Sequence, residues 1–225
     1  MGLDMYLNKM PRYKNTKGEA VIIIESYLDW QKAKEEGSEY ANGTFKEWHG
    51  YDGNLPPQDR IDFYKQFYKK RYSTWDTERK YGWYRIIEQV GYWRKANHIH
   101  DWFVNNIQDG EDDCSYHREV TKEDLEKLLD ICETVLKSCE LVDGIQQDGE
   151  DYKDGKWVPY YRQGKFVKDP SIAEELLPTA GGFFFGSTNY DEYYVRDIEE
   201  TIDIITKVLE TTDFEKEMIY YVSSW

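Results

Sequence analysis

The chain of 225 residues carries a formal charge of −15, with 44 acidic against 29 basic side chains. That balance excludes general nucleic-acid binding, because a phosphate backbone is held by clustered Lys and Arg that displace its counterions. The longest purely aliphatic run covers only residues 21–24, which excludes a membrane-spanning helix, and the start "MGLDMYLNKM" has no basic leader.

The expectation is therefore a soluble, cytoplasmic protein. No Pro-, Ser- or Gly-rich linker divides it, so 1–225 reads as one domain. Its apolar surface comes largely from 20 Tyr, 9 Phe and 8 Trp, side chains that pair a large contact area with, for Tyr and Trp, a polar edge. Three cysteines without metal spacing fit a reducing compartment. The charge is uneven: residues 60–100 hold ten Lys or Arg against four acids, which leaves −21 for the rest. Such a region suits a small anion, or it is a helix face neutralised by acidic neighbours.

In chain order, "LDMYL" and "AVIII" read as strands, the second buried on both faces because it does not alternate. Residues 35–54 read as loops with a hairpin. "PPQDRIDFYKQFYKKRY" has helical spacing through Ile61, Tyr64, Phe67 and Tyr68, with a basic exposed face. "YGWYRIIEQVGYWRK" reads as a strand bent or broken at Gly91.

A helix over 95–106 follows. Its projection gathers Ala96, Ile99, Phe103 and Ile107 on one stripe, and Arg94, His98, Asp101, Trp102 and Asn105 on the other side. A cation, an imidazole, a carboxylate, an amide and an indole make a ligand-site inventory, and the competing reading is a solvated face. His98 and His100, two apart on a helix, diverge by about 200°, so no metal site is expected. His100 reads as a packed histidine. "QDGED" occurs at 108–112 and again at 147–151 and reads as two acidic turns.

"TKEDLEKLLDICETVLKSCELV" is the clearest helix, with Thr121 as N-cap and an apolar stripe from Leu125 to Val142 that includes Cys132 and Cys139. "FFF" reads as a short buried strand. "GSTN" then leads into a helix over 191–210, with Ser187, Thr188 or Asn189 as N-cap. Free amides at that corner would favour phosphate or carboxylate. "MIYYVSSW" reads as an edge strand. The whole is α+β, a mostly antiparallel sheet packed with about four helices.

No nucleophile elbow, Walker A loop, HExxH or CxxC pair is present. The set "MGLDMYL", "VGYWRKANHIHDWFV", "QDGEDD" and "LLPTAGGFFFGSTNYDEYY" resembles a family of small uncharacterised proteins of bacteriophages and bacteria. The resemblance implies a phage setting, with the host cytoplasm as location, in which compact proteins sequester nucleotide-derived immune signals without cleaving them.

The expected function is accordingly a non-enzymatic binding protein for a small phosphate-containing ligand, with no cofactor, no metal and no catalytic residue. Tyr92, Trp93 and Trp102 would stack, Arg94, Lys95 and His98 would meet phosphate, and the backbone at Gly186, Ser187, Thr188 and Asn189, beside Tyr190, would close the anion site. Two alternatives stand beside it. One is a metal-assisted phosphodiesterase or nucleotide transferase using His98 with Asp101 or Asp112. The other is an interaction protein that inhibits a host enzyme. Self-association as a homo-oligomer is left open.

Overall fold

A computed structural model describes residues 2–50, 53–72, 82–112, 118–182 and 184–225. Strand β1 (Asp4–Pro11) lies between β4 (Glu88–Arg94) and β8 (Glu217–Ser224), and β5 (Glu119–Val120) extends the sheet beyond β8. All pairings are antiparallel, so the order is β4-β1-β8-β5. Two further ribbons, β2 (Lys69–Tyr72) with β3 (Gly82–Arg85) and β6 (Leu141–Lys153) with β7 (Lys156–Val167), form separate two-stranded sheets.

The sheet is covered on both faces. Odd positions Leu3, Met5, Leu7, Ile219 and Tyr221 join one core, with α4 (Asn97–Asn106), α5 (Lys122–Ser138), α6 (Ser171–Leu176) and α7 (Glu192–Thr211). Even positions Met10, Met218 and Tyr220 join a second core, with α1 (Gly18–Glu35) and α3 (Gln58–Lys65). Alternating side chains point to opposite faces, so "MIYY" can be apolar throughout only where both faces are buried. The expected edge strand β8 is thus internal.

Of the α-helices, α1, α4, α5 and α7 are ten residues or longer; α2 (Phe45–His49) is a single capped turn. The α+β architecture and antiparallel sheet agree with the pattern in the sequence. Among the described residues no helix is long and apolar enough to cross a membrane.

Four expectations need correction. "AVIII" lies in α1, not in a strand: extended past the aliphatic run, the buried positions are Val21, Ile24, Glu25 and Leu28, a helical spacing that four residues alone cannot display. No hairpin forms between residue 35 and the end of α2; Glu39–Ala41 is a 3-10 turn and α2 follows. The helix after the prolines stops at Lys65, so Lys69, Lys70 and Arg71 lie on β2 rather than on a helix face, and Arg79 and Lys80 fall outside the described residues. The second "QDGED" is not a turn: it sits within β6, with a register shift between Gln147 and Gly149.

Two long-range ties set α1 in place. Its N-cap Lys17 makes no side-chain cap bond; instead the Tyr220 hydroxyl of β8 accepts from Gly18 N at 3.0 Å. A Cβ at Gly18 would sit 2.9 Å from Cζ of that ring, so only glycine admits the contact. Glu25, buried, accepts from the N–H groups of Ile86 (2.6 Å) and Ile87 (3.0 Å) and from Arg85. Burial raises its pKa above the ordinary carboxylate value against the pull of these donors. Tyr220→Phe removes the cap acceptor and is expected to lower stability by about 1 kcal/mol in urea denaturation, with the far-UV spectrum unchanged.

Candidate functional site

β4 carries the chain into α4 through a tight corner. Lys95 takes φ 62, a left-handed conformation uncommon for a side chain, and its N–H donates to Leu3 O at 2.8 Å. Immediately before it, Trp93 is buried, and its indole N–H donates to Thr201 Oγ1 of α7 at 2.8 Å. Gly91 has the same purpose: a Cβ there would fall 2.7 Å from Ile204 Cγ2, so glycine lets α7 approach the strand. The register shift between Leu7 and Asn8 opposite Gly91 is the bend expected there.

Asn97, in the first turn of α4, is 2% exposed and uses both ends of its amide. Nδ2 donates to Phe185 O (3.2 Å) and Ser187 O (2.8 Å), while Oδ1 accepts from Ala180 N (3.0 Å). The loop 178–190 is thereby tied to the corner. Gly186 completes the fit: it takes φ 96, and a Cβ would meet Lys95 Cβ at 3.1 Å and Lys95 O at 3.2 Å. Further along, Thr179 N donates to the Tyr190 hydroxyl, and Thr179 Oγ1 to Thr188 O.

A cleft of about 510 Å³ opens where these pieces meet. Arg94, Lys95, Asn97 and His98 form one wall, Thr179, Gly186, Ser187 and Asn189 the second, and the first turns of α7, from Asp191 to Asp197, the third. The two sequence segments singled out for a ligand therefore share one cavity. Six of the residues named from sequence line it: Arg94, Lys95, His98, Gly186, Ser187 and Asn189.

The other five do not line it. Trp93 and Trp102 are core residues, the latter 6% exposed and edge-on to Phe103. Tyr92 points to the opposite face of the sheet, beside Tyr6, and its hydroxyl donates to Asp4. Thr188 and Tyr190 serve the loop through the bonds to Thr179.

Two local readings change. "FFF" is no buried strand: Phe183 lies outside the described residues, Phe184 is exposed with φ 68, and Phe185 is half-buried in the loop. The N-cap of α7 is Asp191, not Ser187, Thr188 or Asn189; its Oδ1 accepts from Tyr193 N (2.9 Å) and Tyr194 N (3.2 Å). That carboxylate, itself paired with Arg162, satisfies the helix end that was expected to meet an anion. The N–H groups of Gly186, Ser187 and Thr188 have no acceptor among the described residues.

Electrostatically the cleft is mixed. Arg94 and Lys95 are exposed and form no ion pair with any described residue. The Arg196 and Arg162 guanidiniums lie 5.1 and 5.2 Å from the centre of the exposed Tyr193 ring. Asp197 is mostly buried, and desolvation first, with Glu200 and Asp191 adding, pushes its pKa up to about 7 against the pull of Arg196. His98 is 3% exposed and packs on Tyr194 at 4.4 Å. Its Nε2 has no hydrogen-bond partner among the described residues, and burial lowers its pKa to about 3, so the ring is neutral at physiological pH.

Residues named for a catalytic reading do not assemble here. Asp101 accepts from Asn105 on the surface of α4. Asp112 engages His100 Nε2 at 3.0 Å, Ser223 Oγ and Trp225 Nε1. Among the described residues no group of three His, Cys, Asp or Glu is placed to hold a metal ion. Sequence reading missed Asn97, Tyr193, Arg196 and Asp197. Tyr193 and Arg196 carried a readable signal, since both project from the exposed face of a strongly amphipathic helix; Asn97 gave none.

No protein-family model, curated protein or solved structure matches the chain.

A carboxyl whose folded-state pKa lies above its ordinary 3.8 contributes stability that is present below that value and lost as pH rises through about 7. Asp197→Asn should therefore match the wild type near pH 4 and exceed its stability increasingly toward pH 8, by about 1–3 kcal/mol at the alkaline end. Urea titrations across that range measure it. A difference independent of pH would show that the carboxyl is not the cause.

Gly186→Val combines a left-handed backbone with a side chain driven into Lys95, and is expected to cost about 2–3 kcal/mol in the same assay.

Proposed function

We propose that the cleft captures a small phosphate-bearing ligand of nucleotide type and holds it without turnover, as a phage-type protein that sequesters a nucleotide-derived immune signal would. The observation that carries this reading is the convergence of Arg94 and Lys95, free of ion pairs among the described residues, on the loop tied down by Asn97. An unpaired guanidinium, an unpaired ammonium and backbone N–H groups without protein acceptors make an inventory for phosphate oxygens. A volume of about 510 Å³ is of the size that holds a ligand of this class.

The stacking role moves from Tyr92, Trp93 and Trp102 to Tyr193. Its ring is half exposed and flanked by two guanidiniums, so a planar base can lie against an aromatic and a cation together. Trp93 contributes by holding α7 against β4 through Thr201. His98, neutral and buried, offers a polar edge rather than a charge. Preorganisation of the loop by Asn97 lowers the ordering cost of binding. Deprotonation of Asp197 above about pH 7 places a negative charge on the cleft wall, so phosphate affinity falls as pH rises from 6 to 8.

Thermal-shift screening and calorimetry against cyclic nucleotides, mononucleotides and ADP-ribose isomers test the reading, with extraction of the bound molecule for mass analysis. The expected result is stabilisation by several degrees at saturating ligand, affinity that weakens with salt, and intact recovery of the ligand. Lys95→Gly is the informative variant. Glycine adopts the corner's backbone freely, so stability stays within about 1 kcal/mol of the wild type while affinity falls about tenfold. Recovery of a cleaved product overturns binding without turnover.

A further inference from the structure

The β6–β7 ribbon leaves the body as a long two-stranded arm. At its base the arm is anchored to α7: Arg162 pairs with Asp191 and Glu192, and an isolated bridge joins Phe166 to Asp191. Asn189 Nδ2 donates to Gln147 O at 3.2 Å, and beyond that point the described strands pair with each other. A lone two-stranded ribbon is marginally stable in water unless one face is covered.

The register decides what that face carries. Tyr152 opposes Trp157, Gln147 opposes Tyr161 and Ile145 opposes Gln163, and directly opposed residues share a face. Ile145, Tyr161, Trp157 and Tyr152 therefore line one side of the ribbon, with Val158, Tyr160 and Arg162 on the other, where the two apolar side chains are less exposed, at 42% and 45%. They are 68%, 61%, 65% and 64% exposed, and the Tyr152 and Trp157 rings lie 5.2 Å apart. Scattered exposed apolar side chains need no explanation, but four large ones aligned on a single ribbon face form a patch.

We infer that this face is a self-association surface, and that two copies of the chain dimerise by packing their arms face to face about a two-fold axis. Area and charge argue for a second copy. The four side chains expose about 500 Å² per copy, so two arms bury about 1,000 Å², the lower bound of a specific interface. By sequence the arm, residues 141–167, holds five acids and four basic residues, net −1 in a chain of −15. Two acidic bodies repel, and contact through the nearly neutral arms is the approach that spares them that repulsion. A basic partner would be drawn to the acidic body rather than to this face. A two-fold interface sets the same patch of both copies against itself, and an apolar face meets an apolar face without unpaired charge.

Sedimentation velocity of the full chain over a wide concentration range tests the dimer, with hydrogen exchange as a local readout. The wild type is expected to sediment as a dimer at high micromolar concentration, with residues 145–161 protected in a concentration-dependent way. Trp157→Glu combined with Tyr161→Glu should weaken association about tenfold or more and leave the thermal transition of the body unchanged, since both side chains are exposed in the monomer. Trp157→Phe should retain the dimer. A wild type that stays monomeric throughout, or a dimer indifferent to the double substitution, overturns the inference.

Discussion

The amide of Asn97 accepts from Ala180 N–H and donates to the carbonyls of Phe185 and Ser187, so a residue in the first turn of α4 fixes a loop 83 to 90 positions later in the chain. Each of those backbone groups would otherwise need water at the cleft wall, and leaving a buried polar group unpaired costs about 1–3 kcal/mol. The cleft exists because this clamp holds. Gly186 can meet the Lys95 corner closely only while the loop is kept there, and the loop in turn brings Ser187 and Asn189 opposite Arg94.

The clamp depends on a sheet that is buried twice over. β1 and β8 send alternate residues into two separate cores, which makes the central pair rigid and leaves β4 as the strand that delivers Arg94 and Lys95 to the cleft. Trp93 and Gly91 act together on that strand, one bonding Thr201 and the other clearing space for Ile204. Their joint effect is to seat α7 beside β4, and with it Tyr193, Arg196 and Asp197. Aromatic residues expected at a ligand turn out to hold the scaffold that lines the cleft with other groups.

Charge follows the same division of labour. Within the basic segment, Arg71 is paired with Glu88 and Arg85 with Glu25, as the neutralised-face reading expects. Arg94 and Lys95 differ from them because no described carboxylate reaches them. Asp191, the acid nearest the expected anion corner, is spent on capping α7 and on Arg162. An acidic protein can thus keep a small cationic opening at one point of its surface.

Much of this was legible in one dimension. The apolar spacing of α5 and α7 and the Thr121 capping box are local patterns with local causes, as are the strands of β1 and β4. The two segments proposed for a ligand also stood out by composition, yet whether they met was a question of distance that no periodicity answers. "AVIII" was misread because the helical spacing of Val21, Ile24, Glu25 and Leu28 shows only beyond that short run, and the tie that caps its helix, from Gly18 to Tyr220, spans 202 residues. The outer face of α4 was read as a ligand face, with a solvated face as the alternative, because a projection shows which residues share a side but not what packs against it; His98 and Trp102 are buried there by neighbouring elements. Sequence by itself determined the long amphipathic helices α5 and α7 and the strands β1 and β4, each from a local pattern, and that the charge is negative with one basic segment. Tertiary structure alone decided which cations remain unpaired, which aromatics are core and which acid caps α7, because each of these is settled by contacts between residues that the chain keeps far apart.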